Sequence, residues 1–154
     1  MLNYGLVGLG NLGEKIARNL LKKNFTVKVY DKDQEKVNQL TKIGAISSLS
    51  AADAGGDVDG LITCLPSPKI STEVMIGENG AIQKMKPGST WIETSTTDIK
   101  DLQLVSKIAE KKNINTIEAP VTGGVHRAEK GIITVLVGAE KKNFLEHEEA
   151  IKAF

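Results

Sequence analysis

Apolar positions along this chain alternate between short continuous runs and helical spacing. Tyr4-Gly5-Leu6-Val7 is such a run, and Ile16, Ala17, Leu20 and Leu21 follow at i, i+1, i+4 and i+5. The run predicts a strand, and the spacing predicts a helix to about Lys23 with an apolar stripe for packing on a sheet. Lys15, Arg18, Asn19, Lys22 and Lys23 form the wet side of that helix. Thr26-Val27-Lys28-Val29-Tyr30 predicts a second strand. Residues 33–43 predict a second helix, with Asp33 placed to cap it and Gly44 past its end. Ala45-Ile46 predicts a short third strand, and residues 51–56 a weak helix. Gly60-Leu61-Ile62-Thr63-Cys64-Leu65 is nearly all apolar, as expected of a parallel strand covered on both faces. Pro66 and Pro68 end it, and a helix to about Ile76 follows. Further strands are predicted at 90–93, 114–119 and 133–137, and further helices at 99–112 and 141–154. The alternation specifies an α/β fold: a doubly wound, mostly parallel sheet with helices on both faces. No repeat or linker divides it, so residues 1–154 read as one domain.

Composition changes this picture little. With 40% hydrophobic and 25% charged residues, the 154-residue chain is an ordinary globular domain with a real core. A net charge of +1 without a basic block leaves no electrostatic footprint for nucleic acid or an anionic membrane. No apolar run approaches the ~20 residues of a membrane span, and the first strand leaves no room for a leader peptide. Cys64 is the only cysteine, which excludes an intrachain disulfide and a cysteine metal cluster. The expectation is a cytoplasmic protein without a metal site.

Candidate chemistry concentrates between the first two strands. Gly8-Leu9-Gly10-Asn11-Leu12-Gly13 is a GxGxxG turn between a strand and a helix, and Asp31 closes the next strand at the expected distance of about 20 residues. This is the Rossmann-type pattern for a dinucleotide. Gly8 permits the tight turn, Gly10 admits a pyrophosphate close to the backbone, and Gly13 lets helix and strand pack. The pyrophosphate would lie over the free N–H groups at the helix start. Asp31 would accept hydrogen bonds from the ribose hydroxyls, which favours NAD, while Lys32 and Lys36 leave NADP possible.

Three more stretches sharpen the reading: Ile62-Thr63-Cys64-Leu65-Pro66, Glu93-Thr94-Ser95-Thr96-Thr97 and Glu118-Ala119-Pro120-Val121-Thr122-Gly123-Gly124. With the glycine turn, they resemble the β-hydroxyacid dehydrogenase family, which includes 3-hydroxyisobutyrate dehydrogenase, tartronate semialdehyde reductase and 6-phosphogluconate dehydrogenase. The resemblance covers the whole chain but only the family's N-terminal half. It implies that Leu65 and Pro66 line the adenosine and pyrophosphate side of the cleft and that Thr96 meets the nicotinamide side. It also implies that Thr122, in place of the family's serine, and Gly123 and Gly124 hold the substrate. Glu118 stands where the family has aspartate, and Arg127-Ala128 where it has a small glycine-alanine step. His126 invites a general-base assignment, because histidine titrates near neutrality, but the family motif has no catalytic histidine there. It reads as a surface residue, and Cys64 as a small apolar residue at a strand end.

The family's catalytic lysine, in a lysine-x-x-asparagine-asparagine pattern, would lie beyond Phe154, and no such pattern occurs within this chain. The family's all-helical C-terminal domain is likewise not in the sequence, so the expectation is a fragment without a catalytic residue. The intact enzyme would transfer hydride between a nicotinamide and a small 3-hydroxy acid or its semialdehyde, and would self-associate as a homo-oligomer. The fragment is expected to bind cofactor without turnover. Two other classes fit the same pattern: a non-catalytic nucleotide-binding scaffold, and an imine reductase.

Overall fold

The computed structural model describes residues 1–154. Six parallel strands form one sheet: β1 (Asn3–Val7), β2 (Thr26–Tyr30), β3 (Ile46–Ser47), β4 (Gly60–Thr63), β5 (Thr90–Glu93) and β6 (Asn115–Glu118). Their order is β3-β2-β1-β4-β5-β6. Sequence order reverses direction between β1 and β4, and a crevice opens there beyond the carboxyl ends of the strands.

Helices cover both faces because the strands are apolar on both. On one side, α1 (Gly13–Lys22), α2 (Gln34–Thr41), α6 (Val125–Glu129) and α7 (Lys141–Ile151) pack on Leu6, Ile62, Ile92 and Ile117. On the other, α3 (Ala51–Gly55), α4 (Pro68–Ile76) and α5 (Ile99–Glu110) pack on Val7, Leu61 and Trp91. Neighbouring strand residues thus feed opposite layers, which explains the unbroken apolar run of β4. Asp33, Ser50, Ser67 and Asp98 each cap a helix by accepting a backbone N–H from the first turn.

Several details depart from the sequence expectation. Strand β4 stops at Thr63, because the Leu65 N–H leaves the ladder and donates to Ser95 Oγ at 2.8 Å. Asn19 is buried within α1, not on its wet side, and its Nδ2 donates to Ala128 O at 2.6 Å. The strand expected at 133–137 is shorter, β8 (Thr134–Val135), and lies outside the main sheet. It pairs antiparallel with β7 (Val121–Thr122), a strand not foreseen. Only the five-residue α6 lies between these strands, too little for a parallel crossover, so the chain folds back on itself. A single 3-10 turn at Ala81–Gln83 was also unforeseen. Helix α7 ends at Ile151, and Ala153 and Phe154 turn back into the core.

Candidate cofactor cleft

The site grows out of the β1–α1 turn. Gly8 has φ +95°, and any Cβ there would strike Cys64 O. A Cβ on Gly13 would strike Gly8 O, so this glycine is what lets the start of α1 sit on the turn. Gly10 differs: a Cβ there meets nothing within 4 Å of protein, and the residue is exposed. The space it leaves faces outward. The backbone N–H groups of Gly10, Asn11 and Leu12 take no protein acceptor, and α1 has no side-chain cap. The helix start therefore presents free donors and a positive dipole end to the crevice.

Asp31 sits across this turn at the end of β2. Its Oδ2 accepts from Leu9 N at 2.6 Å, and its Oδ1 accepts from Asp33 N at 2.8 Å. A carboxylate offers about four acceptor positions, so each oxygen keeps capacity for a further donor. Asp31 thus ties the glycine turn to β2 and still lines the crevice.

A cavity of about 570 Å³ occupies the crevice. Of the residues expected at a cofactor, Gly8, Gly10, Asn11, Leu12, Asp31, Leu65, Pro66 and Thr96 line it. Leu9 and Gly13 do not: the Leu9 side chain is buried in the core, and Gly13 is buried under the turn. Lys32 and Lys36 border the same cavity beside Asp31, with Lys36 also 3.8 Å from Asp33. Val121 lines it as well, whereas Thr122, Gly123 and Gly124 are exposed and lie outside it. Gly123 and Gly124 have φ +120° and +81°, and the Arg127 side chain packs over Gly123. His126 is exposed, as expected of a surface residue.

Some lining residues carried no separate signal in the sequence. Val7, Tyr30, Ile70 and Val74 give the cavity its apolar wall. Ser95 does more than border it: it receives the Leu65 N–H and so joins two turns of the wall. Cys64 lines the cavity, and burial pushes its thiol above the ordinary range, outweighing the Thr94 and Gly13 hydrogen bonds that act the other way. It stays a thiol at neutral pH and is a poor nucleophile there. No group of three or more histidine, cysteine, aspartate or glutamate side chains is arranged to hold a metal, and no helix is long and apolar enough to cross a membrane.

The order 3-2-1-4-5-6, the glycine turn and the carboxylate at the end of β2 define a Rossmann-type dinucleotide-binding domain. The profile of the NAD binding domain of 6-phosphogluconate dehydrogenase matches residues 3–154, and the chain belongs to that family. It is 35% identical over 140 residues to a probable mitochondrial 3-hydroxyisobutyrate dehydrogenase of Dictyostelium discoideum, covering 91% of this chain and 44% of that protein. It is 35% identical over 147 residues to the mitochondrial 3-hydroxyisobutyrate dehydrogenase of Rattus norvegicus, covering 96% of this chain and again 44% of the relative. Among solved structures, the 3-hydroxyisobutyrate dehydrogenase of Salmonella typhimurium superimposes with a TM-score of 0.92 at 28% identity, over 99% of this chain and 53% of that one. The chain therefore spans about half the length of these relatives.

Proposed function

We propose that the crevice between β1 and β4 binds NAD(H), and that this domain belongs to an oxidoreductase acting on a small 3-hydroxy acid or its semialdehyde. One observation carries the reading: the free N–H groups of Gly10, Asn11 and Leu12 and the Asp31 carboxylate border the same cavity. A pyrophosphate needs the first and a ribose diol the second. The apolar wall from Leu65, Ile70 and Val74 suits the flat rings at either end of a dinucleotide.

In this reading, the residues divide the work by position. Gly10 and the start of α1 hold the pyrophosphate, Asp31 holds the adenosine ribose, Leu65 and Pro66 flank the adenosine side, and Thr96 meets the nicotinamide side. Thr122, Gly123 and Gly124 hold the substrate oxygen and carboxylate, at the turn that begins beside Val121. The cofactor, when bound, supplies the hydride chemistry; the protein supplies position and charge. General acid–base catalysis typically contributes about 10²–10⁴ in rate, and the lysine-x-x-asparagine-asparagine pattern that the family resemblance assigns to that role does not occur in this sequence. The chain by itself holds cofactor without steady turnover.

Asp31 favours NAD, since its charge repels a 2′-phosphate, and Lys32 and Lys36 soften that repulsion. Calorimetric titration with NADH and with NADPH tests the reading. Tighter NADH binding is expected; tighter NADPH binding would mean the lysines overrule Asp31. Binding of neither would contradict the proposal; steady oxidation of NADH by the purified chain in the presence of a small 3-hydroxy-acid semialdehyde would contradict only the expected absence of turnover.

A further inference from the structure

Glu93 is the only acidic side chain in the molecule that is fully buried. It ends β5 and faces the α4–α5 layer, on the same side of the strand as Trp91. A buried carboxyl is costly unless its oxygens are partnered. Here each oxygen holds a different element. Oε2 accepts from Ser71 Oγ in α4, and Oε1 accepts from Ser95 N in the turn after β5 at 2.8 Å. Ser95 Oγ in turn accepts the Leu65 N–H at 2.8 Å. A continuous tie therefore runs from α4 through Glu93 and Ser95 to Leu65, directly behind the cavity wall formed by Leu65, Ser95 and Thr96.

We propose that Glu93 is a positioning residue for the nicotinamide half of the cofactor: it fixes the Ser95-Thr96 turn against α4 and so sets the wall beside that ring. This inference rests on the cofactor reading given above. Glu93 does not line the cavity and acts through Ser95. Burial raises its pKa, with hydrogen bonds from Ser71, Ser95 and Thr63 opposing. The tie survives either protonation state. As carboxylic acid it donates to Ser71 Oγ and still accepts from Ser95 N; as carboxylate it accepts from both.

The test compares NADH with ADP-ribose, which lacks the nicotinamide, by titration of the wild type, Glu93→Ala and Glu93→Gln. Glu93→Ala strips both acceptors and is expected to weaken NADH about tenfold while changing ADP-ribose less than about threefold. Glu93→Gln is expected to stay within about threefold of the wild type for both ligands, because its amide oxygen accepts from Ser95 N and its NH₂ donates to Ser71 Oγ. Equal losses for both ligands in Glu93→Ala, no loss, or a Glu93→Gln variant as impaired as Glu93→Ala would each overturn the inference. If Glu93→Ala does not fold, Ser71→Ala probes the same tie; about a threefold loss confined to NADH supports it, and an unselective or absent loss overturns it. A wild type that binds neither ligand overturns the cofactor reading itself, and this inference with it.

Discussion

At the scale of single residues, the glycine turn works by what it lacks. Alanine at Gly13 would drive a methyl into Gly8 O. Both partners are backbone in a packed turn, so no side chain yields. Gly13→Ala is expected to lower stability by about 1–3 kcal/mol in a denaturant titration, the usual cost of overpacking; an unchanged midpoint would contradict that. Asp31 carries a double load, because its carboxylate holds Leu9 N and Asp33 N. Asp31→Ala is expected to weaken NADH at least about tenfold, since hydrogen bonds to a charged group are each worth about 1.5–3 kcal/mol. NADPH should weaken less, because repulsion of the 2′-phosphate disappears with the charge. The sequence marks Asp31 as a candidate ribose partner, because the spacing from the glycine turn is legible. It does not show the bond to Leu9, which exists only once β2 lies beside β1.

At the scale of elements, the strands and helices of the parallel sheet were legible from periodicity, because each strand is covered on both faces and each helix has one apolar stripe. The β7–β8 ribbon was not. Its strands are two residues each, too short for a period to be visible, and their partner choice depends on how the chain turns at Gly123 and Gly124. Nor could the pattern show that a buried polar pair joins α7 to β1 beside its apolar contacts. The Tyr4 hydroxyl and His147 Nδ1 lie 2.9 Å apart, and both residues are buried. Gly60 permits this, since a Cβ there would meet the Tyr4 ring at 2.7 Å.

Burial holds the His147 imidazole below the ordinary histidine value of 6.5, with Glu146 and Asp59 pulling the other way. The folded state thus takes this proton less readily than the unfolded chain. The stability from neutral His147 is present above about pH 6.5 and is lost as pH falls through the lower folded value. Glu93, whose folded pKa is raised, contributes with the opposite sign: its share is lost as pH rises. Subtracting variants separates the two. Thermal melts across this range should show a smaller acid-side loss for His147→Phe than for the wild type. Parallel losses would place the sensitivity elsewhere.

At the scale of the whole molecule, two layers of helices sandwich the sheet so that the crevice is left open only at the β1–β4 reversal. The Gly8-to-Gly13 turn, Asp31, Leu65, Pro66 and Thr96 come from four loops far apart in sequence, yet order 3-2-1-4-5-6 gathers them at one end of the sheet. That gathering was legible, because each of these motifs ends a predicted strand and the carboxyl ends of parallel strands share one edge of the sheet. The position of Thr122, Gly123 and Gly124 outside the cavity was not, since motif order carries no depth.

If this crevice is a dinucleotide site, the open space at Gly10 is where it is most easily blocked. A Cβ there meets no protein atom within 4 Å, so Gly10→Val should fold like the wild type while filling the space a pyrophosphate must enter. The measurement is a calorimetric NADH titration of Gly10→Val beside the wild type, with a thermal melt of each. The predicted result is saturable binding by the wild type, none by the variant, and superimposable melts. Equal NADH binding by both proteins would contradict the account.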